Sequence, residues 1–307
     1  MKYLTPLHQK DKYYLALERE IRAIFYEIFI RPFIESNIQN SKKDPLIAAL
    51  ESGRVVYKEG AFIGKFNSEI SKALMSHGAT YSNYFKVWKL KDLPPILQQT
   101  IAKIQSRLDK QARNYIQALQ GVDLDYIMSK ADFTPQFEKT LNYIDVSFDQ
   151  TVKSITIAAN VTQSMRQQIA RDYSENMKLY IRNFTEQQII DLRQKVEKNA
   201  FSGLRAFNLE AMIKQTHNVT AAKAKFLARQ ETSLLLSKYT ESRYKDAGIT
   251  KYKWLTSRDV RTRHDHKLLD GKIFDFNYPP ITDIKTGARN NPGCDYNCRC
   301  VAQPLIE

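Results

Sequence analysis

The chain has 307 residues, of which 43% are hydrophobic and 26% charged, with only 10 Gly and 10 Pro. These values exclude a disulfide-stapled mini-domain and a low-complexity or collagen-like chain, and they allow one large domain or two of ordinary size. Forty-seven Lys+Arg against 33 Asp+Glu give a net charge of +14, which favours a polyanionic partner: nucleic acid, an anionic membrane face or an acidic protein.

The charge is uneven. Residues 1–150 carry 21 basic and 17 acidic side chains, and residues 151–307 carry 26 and 16, so the excess is +4 in the first part and +10 in the second. The second part is the expected polyanion-facing one. The start, MKYLTPLHQKDKYYLAL, lacks an apolar core followed by a small-residue cleavage site, so no secretory leader is expected. No stretch approaches about 18 uncharged apolar residues, so no membrane partner is expected either. The three cysteines, Cys294, Cys298 and Cys300, crowd into seven residues, which is not a secreted disulfide framework and suits a reducing cytoplasm.

The first predicted element is an amphipathic helix over residues 11–36. Tyr14, Leu17, Ile21, Phe25 and Ile28 recur at helical spacing, and Pro32 is expected to end or kink it. RVVYKEGAFIGK (54–65) has two short apolar runs around Glu59-Gly60, the pattern of a small hairpin. Helices are expected over 67–77 and 93–119, the second opened by Pro94-Pro95. Thr134-Pro135 marks a helix start, with Thr134 as cap, and the helix should run to about residue 157. Another is expected after Asn160 or Thr162, with Met165, Ile169, Tyr173, Met177 and Tyr180 as its stripe. Thr185 with Gln188 forms a capping-box pattern and predicts a fresh helix to about Phe201. The longest predicted helix follows Asn218 and runs to about Lys245. Ala228, Thr232, Leu235 and Tyr239 share a face, and Gly248 is its stop.

Beyond Gly248 the pattern changes to turns and short β-prone runs: KYKWLT (251–256), KIFDF (272–276) after the Asp270-Gly271 turn, and CRCVAQP (298–304). The predicted fold is therefore mainly α with a small C-terminal antiparallel β unit, an α+β protein.

The C-terminal part carries the specific pattern. ARQETS (228–233) is followed by YKW (252–254), SRDVRTRHDH (257–266), LLDGKIF (268–274), Pro279-Pro280, NPGCDYNCRC (291–300) and Gln303-Pro304. This ordered set resembles the phage Mu F-like head morphogenesis family, the minor capsid proteins of tailed phages, over roughly residues 160–307. The signature positions carried by the resemblance are Arg229, Glu231, Trp254, Asp259, Arg261, Gly271, Arg299 and Pro304. This chain departs from the family pattern at Gln230, where Thr is commoner. It also has Arg261, Arg263, His264 and His266 where a Cys-x-x-Cys-His arrangement is frequent, and Cys294-Asp295-Tyr296-Asn297 where His-Pro-Asn is frequent. The resemblance implies a division at residue 158. Residues 1–158 would be a helical N-terminal region that docks on the portal. Residues 159–307 would be the head morphogenesis domain, with helices over 160–247 and the β unit over 249–307.

The residues have a chemistry of their own. Thiolates with imidazole suit zinc, which takes four ligands in a closed site, so His264, His266, Cys294, Cys298 and Cys300 are the candidate ligands and zinc the candidate cofactor. Cys298 and Cys300, two apart, would share one face of a strand. Buried, idle thiols or an oxidised pair in the released particle are the alternatives. Arg229, with its fixed fork of donors, is expected to hold loop carbonyls or a carboxylate. Trp254 should pack the long helix on the β unit, and Asp259 should cap a turn near Arg261 or Arg263.

The resemblance implies a non-enzymatic minor head protein located in the virion, at the head interior or portal vertex, after assembly in the host cytoplasm. Its implied partners are the portal protein, capsid or scaffold proteins and packaged double-stranded DNA. The rival reading is a metal-dependent nuclease or other enzyme on nucleic acid, built on His264-Asp265-His266 with Asp259, Asp270, Asn290 and Asn291. No complete motif of that kind is spaced along the chain.

Overall fold

The computed structural model describes residues 2–36, 44–52, 54–152, 161–201 and 205–306. A two-residue strand, β1 (Lys2–Tyr3), precedes α1 (Asp11–Phe25). The helix does not stop at Pro32. A π-helical turn, Tyr26–Ile30, leads into α2 (Arg31–Ser36), and the Arg31 N–H donates to the Tyr26 carbonyl. The wider turn absorbs the proline, which has no N–H to give and crowds the turn before it.

The next helix is α3 (Pro45–Glu51), where the Asp44 carboxylate accepts from Leu46 N at 2.8 Å and Ile47 N at 3.3 Å. The expected hairpin is present as β2 (Val55–Lys58) and β3 (Ala61–Gly64). Its two turn residues, Glu59 and Gly60, have φ of 50° and 79°, the left-handed pair that matches strand twist in a two-residue hairpin. Next come α4 (Ser68–Ser76), capped by Asn67, then β4 (Thr80–Ser82), β5 (Val87–Lys89), α5 (Pro95–Gln120) and α6 (Leu124–Lys130). Strands β4 and β5 were not foreseen. They extend the hairpin to a four-stranded antiparallel sheet of order β2-β3-β5-β4.

Helix α7 (Thr134–Val152) begins where Thr134-Pro135 predicts, although Asp132 supplies the cap, accepting from Thr134 N at 2.9 Å. The expected end near residue 157 lies outside the described residues. Helix α8 (Gln163–Phe201) is capped by Thr162, whose hydroxyl accepts from Met165 N. It is one helix, and the capping-box pattern at Thr185 opens nothing. Ala170, Ser174, Met177, Ile181 and Thr185 form one buried stripe at spacings of three and four, so Thr185 is simply its next step. Without Gly or Pro between 163 and 201, extending an existing helix costs less than nucleating another. The stripe read from sequence is displaced: Met177 is buried, but Met165 and Tyr180 are exposed.

Helix α9 (Arg205–Asp246) starts earlier than the predicted residue 218 and ends as expected, with Gly248 at φ 75°. The C-terminal segment holds β6 (Lys251–Leu255), α10 (His264–Leu269), β7 (Ile273–Asp275), β8 (Ile281–Asp283), β9 (Ala288–Arg289) and β10 (Val301–Ile306). The small antiparallel unit is as predicted, with order β1-β10-β6-β7 and a separate β8-β9 pair. Its outer strand β1 comes from the chain start: Lys2 pairs with Ile306 and Tyr3 with Leu305.

The chain forms two compact units, and neither is continuous in sequence. One gathers residues 1–22, 125–182 and 222–307, and the other residues 23–124 and 183–221. The division at 158 expected from sequence does not coincide with either. In the first unit, Phe148 and Val152 of α7 and Tyr244 of α9 pack with Leu4, Tyr252, Trp254 and Phe276 of the sheet region. In the second, Leu46, Leu50, Phe62, Ile70, Leu74, Trp88 and Ile101 form the core between its helices and its sheet. Tyr115 also donates to the Phe29 carbonyl there at 2.9 Å. Among the described residues no helix is long and apolar enough to cross a membrane.

Candidate functional site

The loop 291–300 lies against α9, where Ser233, Ser237 and Glu241 hold it. Asn291 is buried. Its amide donates to Glu241 Oε2 at 2.9 Å and the Phe276 carbonyl at 3.0 Å, and its carbonyl accepts from the Tyr252 hydroxyl at 2.9 Å. Gly293 has φ +86°, and a Cβ there would come within 3.1 Å of Ser237 Cβ, so the close approach of loop to helix requires glycine. Ser233 donates to the Cys298 carbonyl at 3.3 Å, and Gln230 accepts from Asn297 N. The Gln at the position where the resemblance expects Thr thus has a partner of its own.

The sequence predicts loop carbonyls or a carboxylate on the Arg229 guanidinium, but among the described residues it meets Tyr14 instead. Its Nη2 donates to the Tyr14 hydroxyl at 3.1 Å, and its guanidinium lies 4.8 Å from the Tyr14 ring centre. Its backbone carbonyl accepts from Gln9, so α9 grips the N-terminal segment at this point. Glu231 is 4% exposed, and burial pushes its carboxyl up to about 7 against a smaller opposing pull from Lys238. Trp254 is fully buried and presents edge contacts to His266 and Phe274, at 5.5 and 6.3 Å between centres.

Asp259 and Arg299 form a fork-to-fork ion pair, with Arg299 Nη2 to Asp259 Oδ1 at 2.8 Å and Nη1 on Oδ2. The hydrogen bond from Arg299 holds the Asp259 carboxyl down at about 2. Asp259 also accepts from Arg261 N at 3.1 Å, so it caps the turn expected of it, and the Arg261 side chain itself is exposed. Gly271 has φ +77° and donates to the Trp254 carbonyl at 2.8 Å. Pro304 sits in β10 opposite Tyr252, and its carbonyl accepts from Leu4 N.

Of the five candidate metal ligands, three come together. His266, Cys298 and Cys300 are buried, and their donor atoms lie within 4.8 Å of one another. The sulfurs of Cys298 and Cys300 stand 3.6 and 3.5 Å from the same ring nitrogen, His266 Nδ1. His264 lies apart, exposed and 3.6 Å from Asp265. Cys294 is also apart, its sulfur 3.3 Å from Ser237 Oγ. The strand expected to carry Cys298 and Cys300 begins only at Val301, so the loop before it aims the two thiols.

Sequence spacing gave no sign of Asp295, whose Oδ2 faces His266 Nε2 at 3.3 Å. Its other oxygen accepts from Asn290 at 2.7 Å and Thr282 at 3.2 Å. Burial raises the Asp295 carboxyl, but the hydrogen bonds from His266, Thr282 and Asn290 outweigh it and keep it ionised. In turn Asp295, and then Cys298, raise His266 to about 9. Within the thiol pair, the Cys300 S–H donates to Cys298, which lowers Cys298 and raises Cys300. The cluster is electrostatically built for an anionic sulfur beside imidazole.

A second network was also missed. Asp145 of α7 accepts from the Tyr239 hydroxyl at 2.9 Å and from Arg166 at 3.0 Å, and lies 3.3 Å from Arg243 Nε. Three residues from α8 and α9 converge on this one buried carboxylate of α7. No local pattern marks them, because each is ordinary on its own helix.

Residues 190–303 match the family model described as phage Mu protein F like protein. This match falls within the 160–307 span on which the resemblance rests. A Haemophilus influenzae (strain ATCC 51907 / DSM 11121 / KW20 / Rd) protein, described as an uncharacterized protein, is 33% identical over 127 residues. The alignment covers 41% of this chain and 27% of that relative, so the chain spans about a quarter of the relative's length. No solved structure matches the chain significantly.

Proposed function

We propose that this protein is a minor head protein of a tailed phage, acting in head morphogenesis at the portal or inner capsid and lying beside packaged DNA in the virion. The observation that carries this reading is the phage Mu F-like match over residues 190–303. The +10 excess of residues 151–307 supports the DNA contact, since the same part of the chain holds the family region. Around the C-terminal sheet, Arg261, Lys267, Lys272, Lys285 and Arg289 are exposed, as a surface facing phosphates requires. The network of Asn291, Asp259 and Arg299 serves to hold a loop-rich surface in one shape, a structural task that involves no catalysis.

Phosphate neutralisation releases counterions, so affinity for unrelated DNA duplexes should fall steeply as salt rises. Binding that ignores salt, or no binding at low salt, would remove DNA from the proposal. Co-expression with the portal protein of the same genome should yield a co-purifying complex. If none forms, and deletion of the gene leaves head assembly normal, the head-assembly role is refuted.

A further inference from the structure

The convergence of Cys298 and Cys300 on one ring nitrogen is hard to satisfy with hydrogen bonds. A ring nitrogen holds at most one proton, in either charge state, so His266 Nδ1 serves a single hydrogen-bond partner well. Yet both sulfurs approach it almost equally, at 3.6 and 3.5 Å. A shared cation resolves this. With Zn–S of about 2.3 Å and Zn–N of about 2.05 Å at tetrahedral angles, ligand sulfur and nitrogen stand about 3.6 Å apart. The observed sulfur-to-nitrogen separations match that spacing, and all three donor atoms lie within 4.8 Å of one another.

The opposite side of the ring agrees. A metal on Nδ1 requires the proton on Nε2, and Nε2 faces Asp295 Oδ2. Asp295 is itself fixed by Asn290 and Thr282 through its other oxygen. A carboxylate that accepts the outer N–H of a ligating histidine is the usual support of a zinc-bound imidazole. Trp254 and the surrounding apolar core keep competing water off the sulfurs.

We propose that Cys298 Sγ, Cys300 Sγ and His266 Nδ1 bind one zinc ion, with Asp295 as the residue that positions the imidazole. On binding, the cluster releases two protons to solvent, one from the Cys300 thiol and one shared by Cys298 and His266 Nδ1, and the two resulting thiolates balance the dication. Cys298 and Cys300 also line a cavity of about 200 Å³, the side left for a fourth ligand. Cys294 and His264 are not ligands. The ion ties α10 to the segment entering β10. This site is independent of the head-assembly reading.

The test uses the full chain, purified without chelator or metal-affinity resin. Elemental analysis should find one zinc per chain, lost in Cys298→Ser, Cys300→Ser and His266→Ala, and kept in Cys294→Ser and His264→Ala. Those core substitutions are prone to unfold the unit, so cobalt titration of the wild-type chain provides a second measurement. One equivalent should give thiolate-to-cobalt charge transfer with tetrahedral d–d bands, both displaced by zinc. Asp295→Asn should keep stoichiometry and spectrum but weaken cobalt affinity about 10–100-fold. A wild-type chain that neither carries zinc nor develops the thiolate–cobalt band overturns the proposal. Loss of zinc from Cys294→Ser overturns the three-ligand assignment.

Discussion

Glu231→Gln should make the protein more stable, and by an amount that depends on pH. The carboxyl is 4% exposed on α9 and titrates at about 7, against 4.5 for the free group. The native state therefore holds a proton that the unfolded chain gives up between those values. Stability from this residue is greatest below pH 4.5, falls as pH rises, and levels off above pH 7. A difference of 2.5 at about 1.4 kcal/mol for each tenfold comes to about 3.5 kcal/mol as an upper bound. Gln has nearly the shape of the protonated acid and never ionises. Urea unfolding followed by far-ultraviolet circular dichroism should show a small difference at pH 4.5 and a gain of about 2–3 kcal/mol at pH 8. An equal difference at both pH values would refute burial as the source of the shift. A variant less stable at pH 8 would show that the ionised carboxylate makes a favourable contact the reasoning lacks.

Trp254→Ala should cost about 3–5 kcal/mol in the same unfolding assay, because a fully buried indole leaves a cavity between His266, Phe274 and the sheet core. A loss under 1 kcal/mol would mean that the site collapses freely. Asp145→Ala should cost about 3–5 kcal/mol by removing the nearer, buried carboxylate from Arg243, which keeps the exposed Asp149 at 3.6 Å, and adding Arg243→Met should recover part of it. Additive losses in the double variant would deny the coupling. Gly293→Ala should lower the midpoint of thermal unfolding through its positive φ and the 3.1 Å approach to Ser237 Cβ. An unchanged midpoint would show that the loop moves off α9 at no cost.

Much of the architecture follows from local pattern. Glu59-Gly60 specifies a tight hairpin because two left-handed residues in sequence suit few other structures. Gly248 stops α9 for a similar reason. Errors arose where local cues were real but outvoted. Thr185-x-x-Gln188 is a sound helix start when a chain enters a helix there, but α8 was already running. Pro32 breaks a regular α-turn but not the π-turn before it. Strands β4 and β5 are three residues each and too short to display alternation.

The ordered pieces that resemble the phage Mu F-like family, from Ala228-Arg229 to Gln303-Pro304, are legible from residue order alone, as are the basic excess and the mainly helical class. All of these are properties of neighbours along the chain. What folding added are meetings of residues far apart: β1 with β10 across the whole chain, Asp259 with Arg299, Asp145 with three partners, and His266 with Cys298 and Cys300. Each depends on which surfaces the helices and sheet bury together, and burial is a cooperative property of the packed unit. For that reason the sequence could name five candidate ligands, while only packing could choose three of them and add the carboxylate of Asp295.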